Sequence, residues 1–201
     1  MSAIPTVIEA SAFTGLPTAV GSGGGVIATE RDGLGIARIA ARPGQAARLG
    51  QLFHGSFGVE PPNGSRRAGH GDVAIAGIGP QTWLATRDHA ANSFAQSLRP
   101  LLGDCASVSD QSDAYVILRV TGPKVRNMLA KLIPIDIHTR SFQVGDVAQT
   151  ICGYVNVSVW RLEDTRRDPV FEIWGARSLA VSLHHAVCHA AAEFGFARAT
   201  R

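Results

Sequence analysis

The chain has 201 residues, 45% of them hydrophobic, and a formal net charge of +3 from 19 basic and 16 acidic side chains. This length and composition suit one folded unit or two small lobes, and they exclude a largely disordered chain. The basic residues are scattered rather than gathered in one stripe, which argues against nucleic-acid binding. The pairs Arg66-Arg67 and Arg166-Arg167 lie in polar stretches without neighbouring aromatics, a pattern typical of solvated loops without a partner.

Neither a membrane span nor an export signal is predicted. No window is apolar over the length that crosses a bilayer, and the first residues lack a basic region followed by an apolar one. The chain is therefore expected to be cytoplasmic, with no membrane partner. Cys105, Cys152 and Cys188 are far apart and flanked by apolar residues, which predicts reduced, partly buried thiols.

Regular structure in the first half is expected after a glycine-rich start. Residues 1–32 contain the run Gly21-Ser22-Gly23-Gly24-Gly25 and little periodicity, so they are predicted to be a mobile lead-in. The next elements are expected to be a strand over 34–40, a helix opened by Pro43, a loop over 61–71, a hairpin of strands 73–78 and 82–86, and a helix over 88–102 with Asp88 as its N-cap.

The second half repeats this order at an offset of about 80 residues, which favours an internal duplication. Its expected elements are a strand over 115–120, a helix bearing Val125, Met128, Leu129 and Leu132, strands over 147–152, 154–162 and 170–174, and a last helix over 177–194. The last helix should bury Leu179, Leu183, Ala186, Val187, Ala190 and Phe194.

The turns between consecutive strands decide the fold class. Gly79-Pro80 and Gly153-Tyr154 are too short for parallel crossovers, so the sheets should be antiparallel. We predict an α+β fold of two tandem ferredoxin-like lobes with antiparallel sheets and flanking helices. The predicted boundaries are a lead-in at 1–32, a first lobe at 33–109, a second lobe at 110–196 and a tail at 197–201.

Patterns that carry chemistry are weak. A flavin or nicotinamide site needs glycines between a strand and a helix, and the run at 21–25 has neither beside it. We find no Gly-x-Ser-x-Gly elbow and no cysteine with a plausible base, while Asp110, Ser112 and Asp113 are typical of a turn. The sequence thus predicts no catalytic, cofactor-binding or metal-binding residue in this chain.

One helical face could present metal ligands. His185, Cys188 and His189 stand at i, i+3 and i+4, whereas His184 is expected to point elsewhere. No Glu follows His185 as a metalloprotease requires, and no other Cys/His cluster completes a site. Packing of this face is the favoured interpretation, and metal binding by the three residues stays open.

Part of the second half resembles a known fold. Asp110-Gln111-Ser112, the strand after it, Gly122-Pro123, the amphipathic helix and Asp136 are similar to the opening of the folate-binding fold of glycine-cleavage aminomethyltransferases. The similarity continues through Val144-Gly145, Trp160-Arg161-Leu162 and Phe171-Glu172-Ile173. It covers roughly 80 residues, and each motif alone is weak.

Within that superfamily, the length, the hairpin around Gly79-Pro80 and the Asp110-Gln111-Ser112 start resemble the gamma-subunit family of heterotetrameric sarcosine oxidases. The resemblance implies a non-catalytic accessory subunit of an oxidoreductase complex that demethylates sarcosine to glycine. It implies alpha, beta and delta subunits as partners. It also implies FAD, FMN, NAD and tetrahydrofolate in the complex, with no cofactor in this chain.

The chain departs from the aminomethyltransferase pattern at two places. Aminomethyltransferases carry an Asp-Asp pair entering a strand after Gly-Gly, whereas this chain has Gly153-Tyr154-Val155-Asn156-Val157, whose amide and valine cannot take a proton at neutral pH. Residues 167–170 replace a Gly-Glu-x-Gly stretch, which counts against pterin binding. The alternatives are a stand-alone folate-dependent aminomethyltransferase-like protein and a free-standing ligand-binding module.

A chain with a full core and no detectable site should work through an interface. Permanent interfaces are rich in apolar and aromatic side chains. We therefore expect one or two of Trp83, Trp160 and Trp174 to be exposed, together with the region around Phe13 and Leu16.

Overall fold

The computed structural model describes residues 10–91, 93–165 and 168–199. Within these ranges the chain forms a five-stranded and a seven-stranded sheet with four α-helices. None of the described helices has the length and hydropathy needed to cross a membrane.

The first lobe is a five-stranded antiparallel sheet with two helices. Its elements are β3 Gly35–Ala41, α1 Ala46–Phe57, β4 Arg67–His70, β5 Val73–Gly79, β6 Thr82–Arg87, α2 Phe94–Leu102 and β7 Ala106–Asp110. The strand order, β4-β5-β6-β3-β7, places the last strand beside the first strand of the lobe.

The second lobe is a seven-stranded sheet that also takes in two strands from the start of the chain. Its elements are β1 Ala19–Val20, β2 Val26–Glu30, β8 Tyr115–Thr121, α3 Val125–Ala130, β9 Val147–Cys152, β10 Val155–Thr165, β11 Asp168–Ala176, α4 Ala180–Ala191 and β12 Phe196–Ala199. The strand order is β1-β12-β2-β8-β11-β10-β9, and all pairs are antiparallel except β2 with β12.

The two lobes share one topology. The order β4-β5-β6-β3 in the first sheet matches β9-β10-β11-β8 in the second, and β8 starts at residue 115 where β3 starts at residue 35. The prediction of an α+β fold with two ferredoxin-like lobes is confirmed. The lobes differ at one edge, because β2 is inserted between β8 and β12 whereas β7 pairs directly with β3.

Each sheet is covered by its helices on one face and by the other sheet on the opposite face. The resulting layers run helix, sheet, sheet, helix. Three cores fill them, around Phe53 and Leu98 in the first lobe, around Leu129 and Leu183 in the second, and around Trp160 and Trp174 between the sheets. Val125, Met128 and Leu129 of the predicted α3 stripe are fully buried, and Leu132 packs at the edge of the same core.

The assignment of residues 1–32 to a lead-in outside the lobes is wrong for its described part. β1 and β2 lie in the seven-stranded sheet, and the Phe13 side chain is fully buried in the second core. Ala12 N donates to Glu30 Oε1 over 3.0 Å, which fixes the segment to the end of β2. The tail prediction is wrong in the same way, since β12 extends through 197–199; residues 1–9 and 200–201 lie outside the described ranges.

Three local predictions also need correction. The expected loop over 61–71 contains β4, and α2 begins at Phe94 instead of Asp88. Asp88 is not an N-cap, because Ser93 occupies that position; the Asp88 carboxylate pairs instead with Arg31 Nη2 at 2.7 Å. Leu179 lies in a 3-10 turn before α4 and is 41% exposed, whereas Leu183 and Val187 are buried as expected.

All three tryptophans are buried, so the expectation that one or two would be exposed is wrong. Trp160 and Trp174 are buried because the two sheets pack against each other and enclose both side chains. Trp83 lies in the first-lobe core, where its Nε1 donates to Pro62 O over 2.8 Å. The large hydrophobic side chain with the greatest exposure among the described residues is Tyr154, at the turn between β9 and β10.

Close backbone packing explains the glycine-rich segment. Gly25 O accepts from Lys124 N over 3.0 Å, and Gly25 N donates to Phe194 O over 2.9 Å. A Cβ on Gly25 would lie 2.6 Å from Phe194 O, so only glycine allows this contact. The run therefore joins the start of β2 to the segments that precede β12 and α3.

Candidate functional site between the two sheets

Two spaces open between the sheets, and Trp174 lines both of them. The wide cleft has a volume of about 640 Å³ and is lined by Ile78 and Leu84 from the first sheet and by Tyr115, Asn156 and Trp174 from the second. The polar cavity is smaller, about 100 Å³, and is lined by Arg31, Arg67, Arg119, Glu172 and the two tryptophans, among others. Concave sites with aromatic walls and a few convergent polar groups are where small molecules bind.

Strand alternation places these side chains. On β11, Val170, Glu172 and Trp174 point between the sheets, while Phe171 and Ile173 belong to the core under the helices. Cross-strand pairing sets Arg119 on one side of Glu172 and Trp160 on the other. The charged and aromatic groups therefore meet because adjacent strands present them in register.

The wide cleft has neutral polar walls. Gln149 Nε2 and Trp160 Nε1 donate to Ser158 Oγ over 2.9 and 2.8 Å. Trp160 and Trp174 stack with ring centroids 4.1 Å apart, and Tyr115 meets Trp174 edge-on at 5.9 Å. The residues that line this cleft include no carboxylate, histidine or cysteine, so its walls supply no group that exchanges a proton near neutral pH.

The polar cavity contains a network of ion pairs. Glu172, whose side chain is 6% exposed, accepts from Arg119 Nη2 at 2.6 Å and Nε at 3.1 Å, and Arg31 Nε lies 3.9 Å away. Trp174 Nε1 donates to the other carboxylate oxygen over 3.3 Å. Both oxygens of this buried carboxylate therefore have donors, as a buried charge requires.

Arg67 faces the same cavity, contrary to its assignment to a solvated loop. It stands on β4 opposite Ala76, whose side chain lies between the sheets. Burial lowers the pKa of Arg67, Glu172 opposes this shift, and Arg119 and Arg31 add to it. Arg66 behaves differently, since it pairs with Asp146 at the surface; Arg166 and Arg167 lie outside the described residues.

The histidines of α4 do not lie as the sequence predicted. His184 is fully buried and His185 and His189 are exposed, so the residue that shares the inner face with Cys188 is His184. Cys188 Sγ lies 3.6 Å from the His184 ring nitrogens. In the described part of the chain no three His, Cys, Asp or Glu side chains are grouped to hold a metal ion.

Burial also controls the protonation of this pair. It lowers the pKa of His184, and the nearby Arg198 guanidinium lowers it further. It raises the pKa of the Cys188 thiol to about 11, against the opposing effect of Arg198. Cys152 is similar, with a pKa raised to about 12 by burial, and a thiol of such high pKa is a poor nucleophile at neutral pH.

The remaining polar candidates are turn residues. Asp110 Oδ1 accepts from Ser112 N over 3.0 Å and from Ser112 Oγ over 2.7 Å. Ser112 Oγ in turn accepts from Ile36 N over 3.0 Å, which ties the linker between the lobes to β3. Their predicted role in a turn is confirmed.

Sequence reasoning missed the polar cavity altogether. The available signal was the parity of β8 and β11, because Arg119 is two residues from Ile117 and Glu172 is two residues from Trp174, so each charged residue shares a strand face with an apolar one. A strand that is apolar on both faces must be covered on both. A charged residue inside such a strand is therefore expected to find a partner there.

A family model described as the GCVT N-terminal domain matches residues 70–200. Two curated relatives carry the name sarcosine oxidase subunit gamma. One, from Arthrobacter sp, is 25% identical over 123 residues, which is 61% of each protein. The other, from Corynebacterium sp. (strain P-1), is 30% identical over 89 residues, or 44% of each. The chain thus spans less than two thirds of these relatives.

Solved structures agree on the fold. A chain of the heterotetrameric sarcosine oxidase from Corynebacterium sp. U-96 superposes with a TM-score of 0.75 at 24% identity, covering 87% of this chain and 88% of that one. The glycine cleavage system aminomethyltransferase T from Bartonella henselae gives a TM-score of 0.61 at 10% identity, covering 82% of this chain and 46% of that one.

Proposed function

This chain belongs to the GCVT N-terminal domain family, and we propose that within the family it serves as the gamma subunit of a sarcosine oxidase. In this role it is an accessory subunit of an oxidoreductase complex, and sarcosine is demethylated to glycine on other subunits. The names of the two curated relatives support the proposal.

The observation that carries the non-catalytic role is the chemistry of the wide cleft. Asn156 stands where the aminomethyltransferase pattern has a carboxylate, and it lines the cleft beside Gln149 and Ser158. Amides and hydroxyls bind and orient a ligand, but they do not serve as general acid or base near neutral pH. A chain with this cleft can support an assembly without taking part in proton transfer.

The fold implies tetrahydrofolate, but the residues present do not suit it as a cofactor that reacts in this chain. The position that would assist one-carbon transfer is the amide Asn156. Glu172 is already held by Arg119 and Trp174. We therefore derive no step through folate in this chain.

The proposed partners are the alpha, beta and delta subunits. FAD, FMN, NAD and tetrahydrofolate are proposed to bind to those subunits, and the assembly is proposed to work in the cytoplasm. The alternative is a stand-alone folate-dependent aminomethyltransferase-like protein. The volume of the wide cleft, about 640 Å³, keeps this alternative open to test, because it lies within the range of small-molecule sites.

Co-expression with the alpha, beta and delta subunits of a sarcosine oxidase from the same source tests the proposal. We expect this chain to elute with the other three in size-exclusion chromatography, in equal amounts. Elution of this chain as a separate monomer, with an active complex formed without it, would contradict the subunit role.

A substitution in the assembled complex tests the non-catalytic role. Asn156→Ala should leave kcat/KM for sarcosine within about threefold of the unsubstituted complex, because this side chain is proposed to take no part in the reaction. A tenfold loss would correspond to about 1.36 kcal/mol of lost transition-state stabilisation. A loss of about a hundredfold or more with unchanged assembly would place catalysis in this cleft. Tetrahydrofolate binding and one-carbon transfer by the isolated chain would favour the alternative.

A further inference from the structure

The polar cavity between the sheets is lined by three arginines and three carboxylates, and one of the arginines has no carboxylate paired with it. Arg31, Arg67 and Arg119 line it together with Glu172, Asp88 and Asp72. Two of these arginines are committed to carboxylates, Arg119 to Glu172 at 2.6 Å and Arg31 to Asp88 at 2.7 Å. The third carboxylate, Asp72, pairs at 2.8 Å with an arginine outside the cavity wall, Arg87.

Arg67 is the cation left over. Its Nε is buried and has no hydrogen-bond partner among the described residues. Glu172 and, more weakly, the exposed Glu163 attract it from a distance, while Arg119 and Arg31 repel it. The residue as a whole stays partly exposed, so the cost falls on the buried Nε. A cationic N–H buried without an acceptor is costly, and the cost is relieved when an anion accepts from it.

The strand bearing Arg67 leaves room for its head group. A Cβ on Gly69 would lie 3.3 Å from Arg67 Nη2 and 3.4 Å from Nη1, so the guanidinium lies over a residue without a side chain. The opposite wall is formed by Trp160 and Trp174. Planar ions and guanidinium groups pack well against such rings.

We propose that the polar cavity is a binding site for a small monocarboxylate, held by the guanidinium of Arg67. The planar fork of an arginine matches a carboxylate with two parallel N–H donors. One negative charge balances the one uncompensated arginine. This site is formed by residues of this chain alone, and its existence does not depend on the proposed function.

The size of the cavity limits the ligand. A volume of about 100 Å³ accommodates roughly three water-sized groups, which is the size of formate. A three-atom ligand at the upper limit of ligand efficiency has a Kd no lower than roughly 0.5 mM. Binding is therefore expected in the millimolar range.

Titration of the full chain with sodium formate, at ionic strength held constant with sodium chloride, tests the proposal. Tryptophan emission is the first readout, because two of the three tryptophans line the cavity. We expect a saturable change in emission. We also expect a rise in Tm of about 3–6 °C at a tenfold excess over Kd. Formamide, a neutral molecule of the same shape, should give neither.

Two variants locate the site. Arg67→Met should abolish the saturable response, whereas Arg48→Met, which removes an exposed arginine on α1, should keep it. If Arg67→Met does not fold, Arg67→Lys should weaken formate binding by about tenfold, because the bidentate fork is lost. No saturable response in the unsubstituted chain, an equal response to formamide, or an unchanged formate response in the Arg67 variants would overturn the proposal.

Discussion

Replacing Glu172 with Gln removes the central negative charge between the sheets and leaves the shape of the side chain almost unchanged. Glu172 accepts two hydrogen bonds from Arg119 and one from Trp174, and its side chain is 6% exposed. The amide introduced by this substitution can still accept from Arg119 but cannot neutralise it. Arg31 and Arg67 also lose an attractive charge.

The magnitude follows from burial. Removing one partner of a buried ion pair costs about 3–5 kcal/mol, because the other charge stays out of water. The Arg119 side chain is 35% exposed, so water recovers part of this cost. We expect Glu172→Gln to lower the free energy of unfolding by about 2–3 kcal/mol, equivalent to roughly 5–10 °C in Tm for a chain of this size.

Urea denaturation followed by tryptophan fluorescence measures the change. Glu193→Gln is the matched control, because Glu193 forms an ion pair with Lys131 at the surface, with side chains 57% and 44% exposed. Exposed pairs contribute about 0–1 kcal/mol, so this variant should remain close to the unsubstituted chain.

The double variant Arg119→Leu/Glu172→Leu separates charge from packing. It should be more stable than Glu172→Gln, since no unpaired charge remains between Arg119 and Glu172. Equal stability of Glu172→Gln and Glu193→Gln would refute the reasoning, because it would mean that the Arg119–Glu172 ion pair is solvated like a surface pair.

Three further outcomes are expected. The pKa of His184 lies below its ordinary value of 6.5, so the unfolded chain binds the proton first and stability falls as pH drops below about 6.5. Urea titrations at several pH values between 7.5 and 5 should show a flatter dependence for His184→Phe, and an unchanged one for the control His54→Gln, which replaces an exposed side chain on α1. Phe13→Ala should lower stability by about 3 kcal/mol if the segment before β1 is part of the core, and an unchanged Tm would contradict that placement. Gly25→Ala should lower the free energy of unfolding by about 1–3 kcal/mol, because its Cβ would meet a backbone carbonyl at 2.6 Å. The control Gly50→Ala places its Cβ in open space on α1 and should be neutral or stabilise by up to about 1 kcal/mol, so the same calorimetric Tm for both variants would contradict the packing argument.

Hydrophobic periodicity and turn chemistry determined which local elements form and in what order. The stripe of α3 and the hairpin turn at Gly79-Pro80 depend on residues close in sequence, and the structure has both elements. The repeated order of the two halves followed from the same local signals. Short-range patterns therefore specified the α+β class and its two ferredoxin-like lobes.

Only the tertiary structure decided where β1, β2 and β12 lie and which strand faces are buried. β2 has five residues, and its partners β8 and β12 are distant in sequence, so no local pattern predicts its position in the sheet. The polar cavity arises because two sheets pack face to face and bring Arg67 of the first to Glu172 of the second. Periodicity shows how side chains alternate along one strand, whereas contacts between residues far apart in the chain determine what each strand face packs against.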